Sequence, residues 1–121
     1  MADGIRWETL PTVIKGPDTE IRREDHGELA VCILRLDAGA DTRPLFKGLP
    51  GDECQCEHWG YIIRGRIRVH CAGRTRTYDA GEAYHWPAGH NLEALTDCEY
   101  LEISPARDYD RLMDHVRGAS S

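Results

Sequence analysis

Asp52-Glu53-Cys54-Gln55-Cys56-Glu57-His58 is the densest run of metal-ligating side chains in this 121-residue sequence. Two cysteines at i and i+2 fall on one side of an extended chain. Their Cα atoms would be about 6.5–7 Å apart, close enough to share one ion through metal–sulfur bonds of about 2.3 Å. His58 is harder to include. On a straight strand it would stand about 13 Å from Cys54, so a common ion demands a bend between Gln55 and Glu57. A buried cysteine is ordinarily a small apolar core side chain. That reading suits Cys32 and Cys71, which sit in strands with aliphatic neighbours. Cys54 and Cys56 lie in a polar, acidic stretch where a core role is harder to argue, and a ligand role is expected instead.

His90 follows the turn Pro87-Ala88-Gly89, from which a histidine can point into the mouth of a barrel. His26, in a turn, and His115, on the polar side of a final helix, are expected to be solvated. On one face His58 is followed by Gly60, which would leave open volume beside the imidazole as a ligand pocket needs. Tyr61, Tyr84 and Trp86 are candidate pocket walls. Glu93 and His85 are the only carboxylate and imidazole near the Pro-Ala-Gly turn that suggest themselves as a general base. Arg64, Arg66, Arg68, Arg74 and Arg76 form an alternating basic stripe, which reads as a solvated, ion-paired sheet face.

The elements that must position these groups are mostly strands. Leu29–Leu36 is rich in aliphatic and β-branched residues. Strands are expected over 58–63 and 66–71, joined by the tight turn Arg64-Gly65, and over 74–78, 83–86, 91–96 and 99–103. Thr19–Arg23 reads as a short edge strand and residues 1–18 as an irregular arm. A helical pattern appears only at the end, where Tyr109, Leu112, Met113 and Val116 share a face and Gly118 suggests a stop. Short strands punctuated by turns mean a small all-β barrel or sandwich. The division expected is an arm with edge strands over 1–28, a barrel over 29–104, and a C-terminal helix and tail over 105–121.

Composition sets the outer limits. The chain is 40% hydrophobic and 30% charged with a net charge of −6, which excludes a collagenous or disordered chain. The acidic balance argues against nucleic-acid binding. No apolar run approaches the ~20 residues that span a membrane. Five cysteines with no export signal read as thiols of a cytoplasmic protein.

Taken together, the motifs resemble those of the cupin superfamily. His58-Trp59-Gly60-Tyr61-Ile62-Ile63-Arg64-Gly65 looks like the strand and turn of the first cupin motif, with His58 where the family places a glutamate. Cys54-Gln55-Cys56 looks like its paired-ligand element, with thiols for imidazoles. Gly81 to Gly89 follows the Gly, five residues, Pro-x-Gly pattern of the second motif. The histidine that normally follows is absent at Leu92, and His90 stands nearby. The resemblance implies a double-stranded β-helix, a jelly-roll barrel with a metal or small ligand in its mouth, and commonly a homodimer. It fixes no reaction.

The metal ligands expected are Cys54, Cys56, His58 and His90. Two thiolates and two imidazoles suit zinc better than iron, manganese or nickel. Four bound ligands would close the site, whereas three would leave a position for water or substrate. The leading expectation is a metal-binding cupin that takes a small organic molecule, a non-redox lyase, isomerase or cyclase if catalytic. The alternative is a non-catalytic metal or redox sensor or ligand-binding regulatory module.

Overall fold

The computed structural model describes residues 4–120. Nine strands carry the fold: β1 Thr12–Lys15, β2 Thr19–His26, β3 Leu29–Leu36, β4 His58–Arg64, β5 Arg66–Cys71, β6 Arg74–Asp79, β7 Ala83–Trp86, β8 His90–Ala94 and β9 Cys98–Pro105. A short helix, α1 (Arg43–Phe46), lies between β3 and β4, and a longer one, α2 (Ala106–Ser120), follows β9 directly. Six strands form one antiparallel sheet in the order β1-β2-β3-β9-β4-β7, and three form a second in the order β6-β5-β8. This is the jelly-roll barrel anticipated from the motifs.

The alternation of β9 shows why the sheets close on a core. Cys98, Tyr100, Glu102 and Ser104 are buried, whereas Glu99, Leu101 and Ile103 between them are half-buried. A strand with period two sends one such set inward. On the facing sheet Ile67, Val69, Leu92 and Ala94 complete the core, and α2 adds Tyr109, Leu112, Met113 and Val116 on the face expected for them.

Several boundaries differ from the sequence reading. The N-terminal arm contains a strand, because 12–15 pairs with β2. β2 is therefore internal, and it runs on to His26 because its whole length pairs with β3. The expected loop after β3 contains α1, with Pro44 in its first turn where a missing N–H costs nothing. Gly118 does not stop α2, which continues to Ser120. Three arginines of the basic stripe are ion-paired: Arg66 to Asp79 at 2.7 Å, Arg68 to Glu93 at 3.3 Å and Arg76 to Glu82 at 3.0 Å. Among the described residues, no helix is long and apolar enough to cross a membrane.

Candidate metal centre

A backbone clamp builds the centre. The N–H of Cys54 donates to the carbonyl of His90 at 2.8 Å, and the N–H of Gly89 donates to the carbonyl of Cys54 at 2.7 Å. This isolated antiparallel bridge fixes the Cys54 loop against the first residue of β8. The chain then bends at Cys56 and enters β4 at His58. The bend removes the separation a straight strand would impose, and the Cys54 Sγ stands 3.4 Å from His58 Nε2. One ligand atom each from Cys54, His58 and His90 lies within 4.8 Å of the other two, and all three residues are buried.

Both imidazoles are held from behind. His90 Nδ1–H donates to the Pro87 carbonyl at 2.7 Å. A carbonyl only accepts, so this bond fixes the tautomer and leaves the Nε2 lone pair for an ion. His58 Nδ1 bonds Ser104 Oγ at 2.6 Å, which turns its Nε2 toward Cys54. The two rings meet edge to face, with centroids 5.1 Å apart.

Glu102 is the buried carboxyl of the site. Its Oε1 lies 3.5 Å from His58 Nε2, and burial pushes its pKa up to about 8. Burial, with the neighbouring His90, holds His58 well below the usual imidazole range, and burial also lowers His90. Burial raises the Cys54 thiol and pushes Cys56 up to about 12. Without a cation the groups are thus neutral, and the His58–Glu102 contact is polar rather than ionic. A divalent ion inverts that logic by favouring thiolate, free imidazole and carboxylate. The donor set of one sulfur and two imidazole nitrogens, each imidazole supported by a second hydrogen bond, fits a zinc-type ion.

The remaining sequence candidates lie elsewhere. The Cys56 sulfur is outside the group. It lies 3.7 Å from the Glu57 carbonyl, and Cys56 lines a separate 110 Å³ pocket with Gln55 and Arg111. Tyr61 is on the outward face of β4 and is 44% exposed. Tyr84 and Trp86 stack on each other, with centroids 3.7 Å apart; Trp86 is the cross-strand partner of His58, and its ring centroid is 5.8 Å from that of His90. None of the three lines the main cavity. Gly60 does not open space either. A Cβ there would come 1.8 Å from the Leu101 carbonyl and 2.6 Å from the Tyr84 hydroxyl, so the glycine permits close strand and ring packing. Glu93 pairs with Arg68 and His70, and His85 pairs with Glu57, leaving neither as a cavity base. His115 is not simply solvated: its Nε2–H donates to the Lys47 carbonyl at 2.9 Å.

The cavity itself measures about 430 Å³ and opens between β1–β2, α1 and α2. His58, His90, Glu102, Tyr100 and Tyr109 lie on its wall. Glu102 and Ser104 are not marked by motif spacing, and Tyr109 is marked only as part of the apolar face of the final helix. The signal for the first two was the period-two pattern of β9, which puts Tyr100, Glu102 and Ser104 on one face. A buried carboxyl in such a row marks a site.

No family model and no curated protein matches the sequence. Solved structures do. The polyketide cyclase RemF from Streptomyces resistomycificus is 17% identical, with 88% of this chain and 80% of that one covered and a TM-score of 0.64. KdgF from Halomonas sp. is 21% identical over 91% of this chain and 99% of its own, with a TM-score of 0.66. An RmlC-like cupin from Shewanella frigidimarina is 17% identical over 91% and 96%, also at 0.66. At these identities the likeness speaks to architecture, and with the two sheets and motifs described above it makes this chain a small domain of the cupin fold.

Proposed function

We propose that the domain is a zinc-binding cupin that takes a small organic molecule and acts on it without redox chemistry, as a lyase, isomerase or cyclase. One observation carries this reading: the ligand atoms of Cys54, His58 and His90 lie within 4.8 Å of one another, and both histidines also line a 430 Å³ cavity. A zinc held by three protein ligands would keep a position for water or substrate, and two of those ligands border a chamber of the size small-molecule sites have. When bound, zinc would supply a Lewis acid for a substrate oxygen. Cys54, His58 and His90 would hold it, while the Pro87 carbonyl and Ser104 fix the orientation of the two rings. Glu102, on the cavity wall beside His58, is the group that accepts or donates a proton on the substrate. The low-identity likeness to a polyketide cyclase is compatible with such carbon chemistry.

The sensor alternative gains less support. A redox-sensing thiol is accessible and of low pKa, whereas Cys54 and Cys56 are 0% and 2% exposed and both are shifted upward by burial. Homodimerisation and a cytoplasmic location remain part of the proposal.

Elemental analysis of untagged protein tests the centre. About one zinc per chain is expected, with loss of it in His58→Ala. A folded protein without bound metal, which takes up none on zinc addition, sinks the reading.

A further inference from the structure

The cavity wall is divided by chemistry. Ile14, Ile21, Leu34, Phe46, Leu112 and Met113 are among the apolar side chains that enclose most of it. His58, His90 and Glu102 form its polar end. Most other polar groups on the wall are already engaged. The Thr42 hydroxyl donates to Asn91 Oδ1 at 3.0 Å and accepts the Leu92 N–H at 2.9 Å. Thr19 donates to Asp18 at 3.1 Å, and Asp41 holds the Arg43 guanidinium. The Tyr109 hydroxyl is buried out of a guest's reach. Positive charge is just as sparse. Among the described residues of the wall, Lys15 is the only lysine or arginine, and it stands at the exposed end of β1, 3.5 Å from Glu20.

We propose that the chamber takes an uncharged, predominantly hydrocarbon molecule of about a dozen non-hydrogen atoms and turns away polyols and organic anions. The size follows from the volume, at about 30 Å³ for each water-sized group. Water finds few partners against an apolar wall, and displacing such water with an apolar group gains affinity. A polyol would give up its hydrogen bonds to water for a wall whose own donors and acceptors are mostly taken. An anion would leave water for a wall that carries Asp18, Asp41 and Glu102 against one cation, itself paired. Half-buried Val13, Ile14 and Leu45 extend the apolar surface toward the mouth. This guest class rests on the small-molecule reading above but not on its zinc, because the apolar wall is there with or without an ion.

Calorimetry with 4-phenyl-1-butanol, 4-phenylbutyrate and glucose tests the proposal, on protein as purified and after EDTA treatment. The three probes are close in size and differ in polarity and charge. The alcohol is expected to bind both samples, and glucose neither. The carboxylate comparison is read after EDTA, where no metal can hold the anion; there the alcohol should bind at least about tenfold tighter than 4-phenylbutyrate. Met113→Phe, which narrows the chamber, should weaken the alcohol at least about tenfold. Ile14→Lys changes a half-buried residue near the mouth rather than the core. It should weaken the alcohol and improve 4-phenylbutyrate at least about threefold. The proposal is overturned if glucose, or 4-phenylbutyrate after EDTA, binds as tightly as the alcohol. It is overturned too if both variants leave alcohol binding unchanged. Zinc content of the purified protein separates the two readings. Zinc-loaded protein that prefers glucose removes the guest class alone. Zinc-free protein that prefers the alcohol removes the metal centre alone. Binding of none of the three removes the small-molecule reading and the guest class with it.

Discussion

Cys54 and Cys56 are chemically identical, two residues apart and both buried, yet only Cys54 joins the imidazoles. The difference lies in the backbone. Cys54 is clamped in register with His90 by two main-chain hydrogen bonds. Cys56 stands at the bend, and a bend cancels the rule that residues i and i+2 share a side. Spacing therefore nominates ligands, and the partner strand selects among them.

The sharpest way to break this contrast is to remove the clamped sulfur. Cys54→Ser should weaken zinc binding by more than about 100-fold, read by competition with a chromophoric chelator. Retention of near-native affinity would mean that the two thiols are interchangeable.

A second test uses protons. In the metal-free domain Glu102 keeps its proton to about pH 8, whereas the unfolded chain ionises it near 4.5. The folded state then binds the extra proton, so this group's contribution to stability falls as pH rises through that window. His58 and His90 act in the opposite sense. Their folded pKa values lie below 6.5, so the unfolded state binds more protons and stability falls as pH drops below that point. Metal-free stability from these three groups should peak near pH 6.5. Zinc favours the deprotonated donors, and saturating zinc should turn the decline between about pH 6.5 and 8 into a rise. Urea unfolding with and without EDTA measures both slopes. Parallel slopes would remove Glu102 and the histidines from a common ion's surroundings.

Ser104 sharpens the comparison from a different side, because it supports His58 at 2.6 Å without being a ligand itself. Ser104→Ala should weaken zinc binding about tenfold, through the freed imidazole. The smallest effect expected is that of Cys56→Ser, less than about threefold in zinc affinity. A loss as large as that of Cys54→Ser would return Cys56 to the ligand set.

How much of this was legible beforehand depends on the range of the interactions. β3, β5 and β7 match their sequence-predicted bounds because aliphatic alternation and Gly turns are local signals. The nomination of Cys54, His58 and His90 rested on residue type and motif, also local, and the structure groups those three. The places of Glu102 and Tyr109 on the cavity wall are not legible in the sequence, because they come from strand pairing and from α2 folding back over the cavity. Gly60 opens no volume for a similar reason: the Tyr84 ring that fills the space beside it arrives from β7, 24 residues later in the chain. A glycine's sequence position does not show which neighbour occupies the room it leaves.

The two halves of the chamber have different owners. Donor atoms come from the loop before β4 and from two sheet strands, while Leu112, Met113 and Val116 of α2 supply part of the roof. Changes at those three helical positions would resculpt the guest's container without displacing a sulfur or a ring nitrogen. The candidate ligand cluster and the cavity's apolar roof thus sit on separate stretches of chain, and a descendant sequence can revise one while leaving the other untouched.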